Sequence, residues 1–188
     1  MPTVRTEYFC GMRWNRRPIT FMPTADFIPR TAYHRRPAND ADEGFLLNLY
    51  AQERAAEVML AGLDATQREM FVQMQFRARQ VNYAANYPTA TQEIICVEDG
   101  TPAGGILVER ATDGMRLIDI AVINSKRRQG LSAEVIRALQ QECHVRGWTL
   151  KLQVLKGNPA GRLYRRLGFE VAGEDPLRRQ MVWSGAKD

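Results

Sequence analysis

Arg127, Arg128, Gly130 and Ser132 stand together in the stretch RRQGLS, spaced Arg-x-x-Gly-x-Ser. Ahead of them Leu117 to Ile123 forms a short apolar run. After them Leu131, Val135, Ala138, Leu139 and Glu142 recur at three- and four-residue intervals. The pattern predicts a strand, a polar basic loop over Asn124 to Gln129, and a helix opened by Gly130. A helix start offers N–H groups without partners inside the helix, together with a partial positive charge. Gly130 lets a bound group come close to the main chain, and the two arginines add full charges. Such a loop suits an anion, above all phosphate or pyrophosphate. A solvated turn uses the same residue types, so the loop alone does not decide between the two. Neither Gly-x-x-x-x-Gly-Lys-Ser/Thr nor Gly-x-Gly-x-x-Gly occurs in the chain, which excludes the two common nucleotide-loop patterns.

Several elements must hold this loop in place. Met1 to Arg30 contains four of the nine prolines and little periodicity, and reads as an irregular extension ahead of one domain over residues 31–188. Thr31 to Arg36 reads as a short strand before Pro37. Asn39 or Asp40 then caps a helix with Phe45, Leu46, Leu49 and Tyr50 on its apolar face. Gly62 breaks that helix, and Asp64 with Gln67 forms a capping box for the next. Met70, Phe71, Met74, Ala78 and Val81 repeat at helical spacing, and this stripe is expected in the core. Tyr83 and Tyr87 follow before Pro88.

Glu93 to Glu98 reads as a buried strand, Ala103 to Arg110 as the next, and Met115 to Val122 as the third. Turns at Asp99-Gly100 and Asp113-Gly114 join them into an antiparallel meander. Leu131 to Arg146, closed by Gly147, is a helix, and Trp148 to Leu155 a strand. Helix between strands predicts a right-handed parallel crossover. Asn158 caps a last helix with Pro159 in its first position, and Gly168 ends it. Phe169 to Gly173 and Gln180 to Ser184 are the closing strands. The fold class is α/β, a mixed sheet covered by helices.

Composition narrows the function classes. The chain has 188 residues, 45% apolar and 25% charged, ordinary values for one soluble domain. No apolar run approaches the roughly 18 residues of a membrane span, and the N-terminus lacks a signal peptide's apolar stretch. Three widely spaced cysteines, Cys10, Cys96 and Cys143, fit a reducing cytoplasm, with the last two expected to be buried. Two histidines, His34 and His144, give no metal-ligand spacing. The net charge of +5 lies wholly in residues 1–36, which hold seven arginines, no lysine and two acids. That arm suits an acidic or nucleic-acid partner, although the plainer reading is an extension that packs on the domain or stays mobile.

Beyond the loop, Asn158-Pro159-Ala160 with Tyr164, and then Leu167-Gly168-Phe169, follow in order. Together with Arg127-x-x-Gly130-x-Ser132 they resemble the GNAT superfamily of acyl-CoA-dependent N-acetyltransferases, over Ala32 to Ser184. The resemblance implies a mostly antiparallel sheet flanked by about four helices, with a parallel pair splayed around Ile120–Val122 and Leu152–Val154. It implies acetyl-CoA as co-substrate. The pantetheine arm would lie along Ile120, Ala121 and Val122, with an N–H near Val122 polarising the thioester. The pyrophosphate would rest on Arg127, Arg128, Gln129, Gly130, Leu131 and Ser132, with Asn158 beside the arm. Ser132 stands where the family prefers Gly or Ala, and Gln129 where it often has Lys or Arg.

The resemblance also implies roles. Tyr164 occupies the place of a general acid, protonated at neutral pH with a reference pKa of about 10. It also shares an apolar face with Ala160, Leu163 and Leu167, so packing is the competing reading. Asp119 lies where some members carry a base, and an ion pair with an arginine would explain it equally well. Glu93 and Glu98 are the other candidate bases, and Tyr83 or Tyr87 the candidate acceptor contacts. The implied reaction is acetyl transfer to a primary amine by direct attack, on a small-molecule acceptor first of all. A protein-modifying acetyltransferase docked through the basic leader, a CoA-binding sensor without turnover, and a nucleic-acid-binding arm are the alternatives. Dimers are common in such families.

Overall fold

The computed structural model describes residues 33–185, and the Arg-rich extension read over 1–30, Cys10 included, lies outside the described residues. The first strand, β1, is Tyr33–Pro37. Asn39 then caps a short 3-10 turn, with Asp42 accepting from the Asn39 N–H at 2.9 Å. Helix α1 follows at Glu43–Leu60. Helix α2, Ala65–Asn86, begins with the expected box, in which Asp64 and Gln67 exchange bonds of 2.9 and 3.0 Å. The meander is β2 (Ala90–Val97), β3 (Pro102–Ala111) and β4 (Gly114–Val122). Helix α3 is Leu131–Arg146, β5 is Leu150–Leu155 and α4 is Ala160–Arg166. Strands β6 (Glu170–Glu174) and β7 (Arg178–Trp183) close the described chain.

These strands form one seven-stranded sheet in the order β1-β2-β3-β4-β5-β7-β6. Every neighbouring pair is antiparallel except β4 and β5, which the α3 crossover makes parallel. That parallel pairing is short. It joins Met115 to Leu150 and ends at Leu117 and Leu152. Beyond those residues β4 stays paired only with β3, and β5 only with β7. Ile118 is the extra residue of a bulge, since Leu107 faces Asp119 while Val108 faces Leu117. A bulge bends and twists its strand, here at the point where the two strands part. The splay thus starts earlier than Ile120, where the resemblance put it.

Helix α3 covers one face of the sheet. Val135, Ile136, Leu139 and Cys143 pack there against Ile95, Ile106, Val108, Met115 and Leu150, all essentially solvent-free. Each such aliphatic side chain contributes about 1.5–3 kcal/mol relative to exposure. Gly130 and Gly147 bound α3 in left-handed conformations, at φ +90° and +66°. Asn158 takes part in the start of α4, its side chain accepting from the Ala160 N–H at 2.9 Å. Pro159 is already helical in its dihedrals but stands at the cap, one place earlier than expected.

Helices α1 and α2 cover the opposite face. Gly105 allows the approach: a Cβ there would lie 3.1 Å from a Leu46 methyl. Tyr50 and Phe76 pack ring to ring, their centroids 5.8 Å apart. Here one expectation fails. Met70, Met74 and Val81 are exposed, at 67%, 57% and 70%, and Phe71 is partly so. The stripe that turns inward is Phe76, Arg79, Gln80, Tyr83 and Tyr87. It repeats with the same helical period, but half of it is polar because it frames a cavity rather than a core.

Candidate active site

The parting of β4 and β5 opens a cavity of about 350 Å³. Ile118, Asp119 and Ile120 line it from β4, Gln153 to Leu155 from β5, and Asn158, Ala160 and Tyr164 from the start of α4. Glu53, Asn82, Tyr83 and Tyr87 close it from α1 and α2. Asp119, Asn158 and Tyr164, widely separated in sequence, thus share one space.

The strand edges inside this opening carry main-chain groups. The Ile123 N–H donates to the Ala103 carbonyl, towards β3. Groups alternate along an antiparallel strand, so Ala121 also turns to β3, while Ile120 and Val122 turn to the opening. Of the three residues expected along an extended ligand, Ala121 therefore offers no main-chain group to it. On the opened edge the Val122 carbonyl accepts from Arg127 Nε and the Ile120 N–H meets the Asp119 carboxylate, and the groups that remain need an outside partner, water or ligand.

The basic loop sits at the far end of the same edge. Arg128, a non-glycine residue at φ +60°, and Gly130 both adopt left-handed backbone. No side chain among the described residues caps the start of α3, so its first N–H groups face outward. Arg127 is turned back on the loop, its Nε donating to the Val122 carbonyl at 2.8 Å, and only its terminal nitrogens remain. Gln129 donates to the Ser125 carbonyl at 2.8 Å. Helix α1 pins the loop from the other side, Gln52 accepting from the Asn124 N–H at 2.8 Å. Both side chains thus brace the loop, through Arg127 Nε and the Gln129 amide.

Tyr164 is buried and meets Phe169 edge-on, with centroids 5.8 Å apart. Its hydroxyl makes no hydrogen bond among the described residues. Burial, with the nearby Asp119 charge, pushes it up to about 12, so it is protonated across the neutral range. Packing and a proton-bearing tip coexist in this side chain.

Asp119 is not alone. Arg79 binds its carboxylate directly and also reaches Glu53, Nη1 to Oε2 at 3.4 Å. The Arg79 guanidinium lies over the rings of Tyr50 and Tyr83, at 4.9 and 5.2 Å, which fixes it in place. Burial raises Asp119, and Arg79 opposes the rise. Burial and then the Asp119 charge raise Glu53. Tyr83 is pushed up to about 12 by burial first, and is a neutral wall.

The other two candidate bases are corrected. Glu93 is buried away from the cavity, held by Arg35 at 3.1 Å and Arg110 at 2.8 Å, with Arg110 continuing to Glu142 at 2.9 Å. Glu98 lies in the exposed turn after β2. Sequence reasoning missed Glu53 and Arg79. The signal for Arg79 was the aromatic spacing Phe76–Tyr83–Tyr87, which the more apolar methionine stripe outweighed. Glu53 had none.

Among the described residues no group of His, Cys, Asp or Glu could hold a metal ion, and no helix is long and apolar enough to cross a membrane.

The model of the acetyltransferase (GNAT) domain family matches residues 50–183. Solved structures are similar in fold. The PaiA N-acetyltransferase of Thermoplasma acidophilum, in complex with coenzyme A, has a TM-score of 0.59 at 12% identity over 81% of this chain and 99% of its own. An acetyltransferase from Thermus thermophilus has a TM-score of 0.60 at 15% identity over 83% of this chain and 99% of its own. No curated protein matches the chain in sequence.

Proposed function

The chain belongs to the GNAT acetyltransferase family, and on that premise we propose that it transfers an acetyl group from acetyl-CoA to a primary amine by direct attack. The observation that carries this reading is the opening between β4 and β5, with Tyr164 and Asp119 in one cavity. The amide-bearing pantetheine arm enters the opening like a further strand and bonds the Ile120 carbonyl and the Val122 N–H. The Val122 N–H, on the open edge, polarises the thioester carbonyl as it gains charge. The pyrophosphate rests on the first turn of α3 with Gly130, Leu131, Ser132 and Arg128, where dipole and guanidinium both favour an anion. Asn158 flanks the arm.

The amine attacks from the side of α1 and α2. Tyr164 donates its proton to the leaving thiolate. The acceptor's proton leaves towards the carboxylate pair of Asp119 and Glu53, which Arg79 holds in the cavity wall. A positioned acid or base contributes about 10²–10⁴-fold. The acceptor is a small amine that fits the cavity.

Thermal unfolding with acetyl-CoA, CoA and ATP in parallel tests the donor site. At about 100 times its dissociation constant a ligand stabilises by roughly 2.7 kcal/mol. Stabilisation by both CoA species and not by ATP, followed by amine-dependent thiol release, is the expected result. No stabilisation by either CoA species overturns the reading.

A further inference from the structure

We infer that Glu53, on α1, is the group that takes the proton from the acceptor's ammonium, with Asp119 and Arg79 as its positioning residues. This rests on the acetyltransferase reading and assigns the base within it. The two carboxylates stand differently. The Asp119 carboxylate is bound by Arg79 and also accepts from the Ile120 main-chain N–H. Its lone pairs are largely engaged. Among the described residues Glu53, lining the same cavity, has a single polar side-chain contact, the 3.4 Å approach of Arg79, which is long for a charged hydrogen bond. Its second oxygen accepts no hydrogen bond among the described residues.

The surroundings fit a base that must both gain and lose a proton. Glu53 faces Arg79 and Tyr83 from α2, Asp119 from β4, and the more distant Arg127 from the loop before α3. Two carboxylates share one close guanidinium, and a like charge favours protonation of the less firmly held one. Burial and Asp119 raise Glu53 in the same direction. Tyr83 stays neutral and does not compete for the proton.

The protons balance as follows. The ammonium gives one proton to a Glu53 carboxylate oxygen, which passes it to solvent. The free lone pair forms the C–N bond, and the C–S bond breaks with its electrons on sulfur. Tyr164 protonates that thiolate. The second proton, lost from nitrogen as the amide forms, restores the Tyr164 hydroxyl. The products are the amide, CoA thiol and one proton.

The test is Glu53→Gln and Asp119→Asn in the full chain, with kcat/KM for amine measured across pH at saturating acetyl-CoA. Glu53→Gln is expected to lose about 10²-fold or more at neutral pH, to lose the acidic limb of the profile, and to regain activity where the amine is already neutral. Its KM for acetyl-CoA stays unchanged. Asp119→Asn keeps a limb, moved to lower pH because a negative neighbour is gone. A limb that persists in Glu53→Gln and vanishes in Asp119→Asn overturns the assignment. If no amine releases thiol, the acetyltransferase reading itself fails, and calorimetric amine binding to the CoA-saturated protein then judges Glu53. Weakening of about tenfold or more in Glu53→Gln supports it as the ammonium's partner, and unchanged binding overturns it.

Discussion

Arg79 on α2 and Asp119 on β4 are bound guanidinium to carboxylate, joining the helix pair to the strand that opens the sheet. Removing the cation leaves Asp119 and Glu53 facing each other. Arg79→Met should therefore destabilise the protein by about 2–3 kcal/mol. That is less than the roughly 3–5 kcal/mol of a fully buried pair, because both side chains keep about a quarter of their exposure. The loss should depend on pH. Without Arg79 the two carboxylates have folded pKa values above their unfolded ones. They therefore favour the folded state at low pH and cease to do so as pH rises. Denaturant melts at about pH 5 and about pH 8 should show the larger loss at the higher value.

Tyr164→Phe separates packing from chemistry. The ring keeps its edge contact with Phe169, so the melting temperature and CoA affinity should stay near those of the parent. Turnover should fall by about 10²-fold, as for the loss of a positioned acid. Steady-state thiol release reads both constants, and equal turnover would make the residue a packing aromatic.

At Gly130 conformation and charge can be told apart. Its φ of +90° strains any other residue, although a Cβ there would meet no atom within 4 Å. Gly130→Ala imposes only the strain, whereas Gly130→Asp adds a carboxylate at the helix start. The aspartate variant should bind CoA at least about tenfold more weakly than the alanine one, corresponding to about 1.4 kcal/mol of anion repulsion. Calorimetric titration of both gives the difference.

Much of this fold was legible because its local devices are strong. Gly147, the Asp64–Gln67 box and the Asp99-Gly100 turn each fix an element by short-range chemistry. Alternation and turn spacing then gave the meander. Limits were less legible: β5 begins at Leu150 instead of Trp148, and β7 runs over Arg178–Trp183 instead of Gln180–Ser184. Pairing partners, which sit elsewhere in the chain, set those ends. The inward face of α2 was misread for a related reason. Periodicity shows that a stripe exists, but not which of two stripes meets the sheet. Tyr164 and Asp119 entered through a resemblance, and Glu53 through none, since its partners Arg79 and Asp119 become its neighbours only after folding.

Asp42 offers a pH marker remote from the cavity. Arg36 grips its carboxylate with two bonds of 2.7 Å and holds it down to about 2, from an ordinary value of 3.8. A lowered folded value stabilises above the ordinary one and is lost as pH falls through the folded one. The melting temperature should thus fall more steeply below about pH 4 in the parent than in Asp42→Asn. Circular dichroism melts between about pH 2 and about pH 5 measure the gap.

The parting of β4 from β5 also sets a clock on the backbone. In a seven-stranded sheet, amides near the middle ordinarily exchange with deuterium only through large openings. Val122 lies in the middle strand, yet its N–H turns to an edge with no partner strand, whereas the Ile120 N–H meets the Asp119 carboxylate. The Val122 amide should exchange far faster than that of Ala121 beside it, which faces β3. The sheet thus carries a fast-exchanging amide on a seam at its centre, and a bound extended chain would be read there as that amide falling silent.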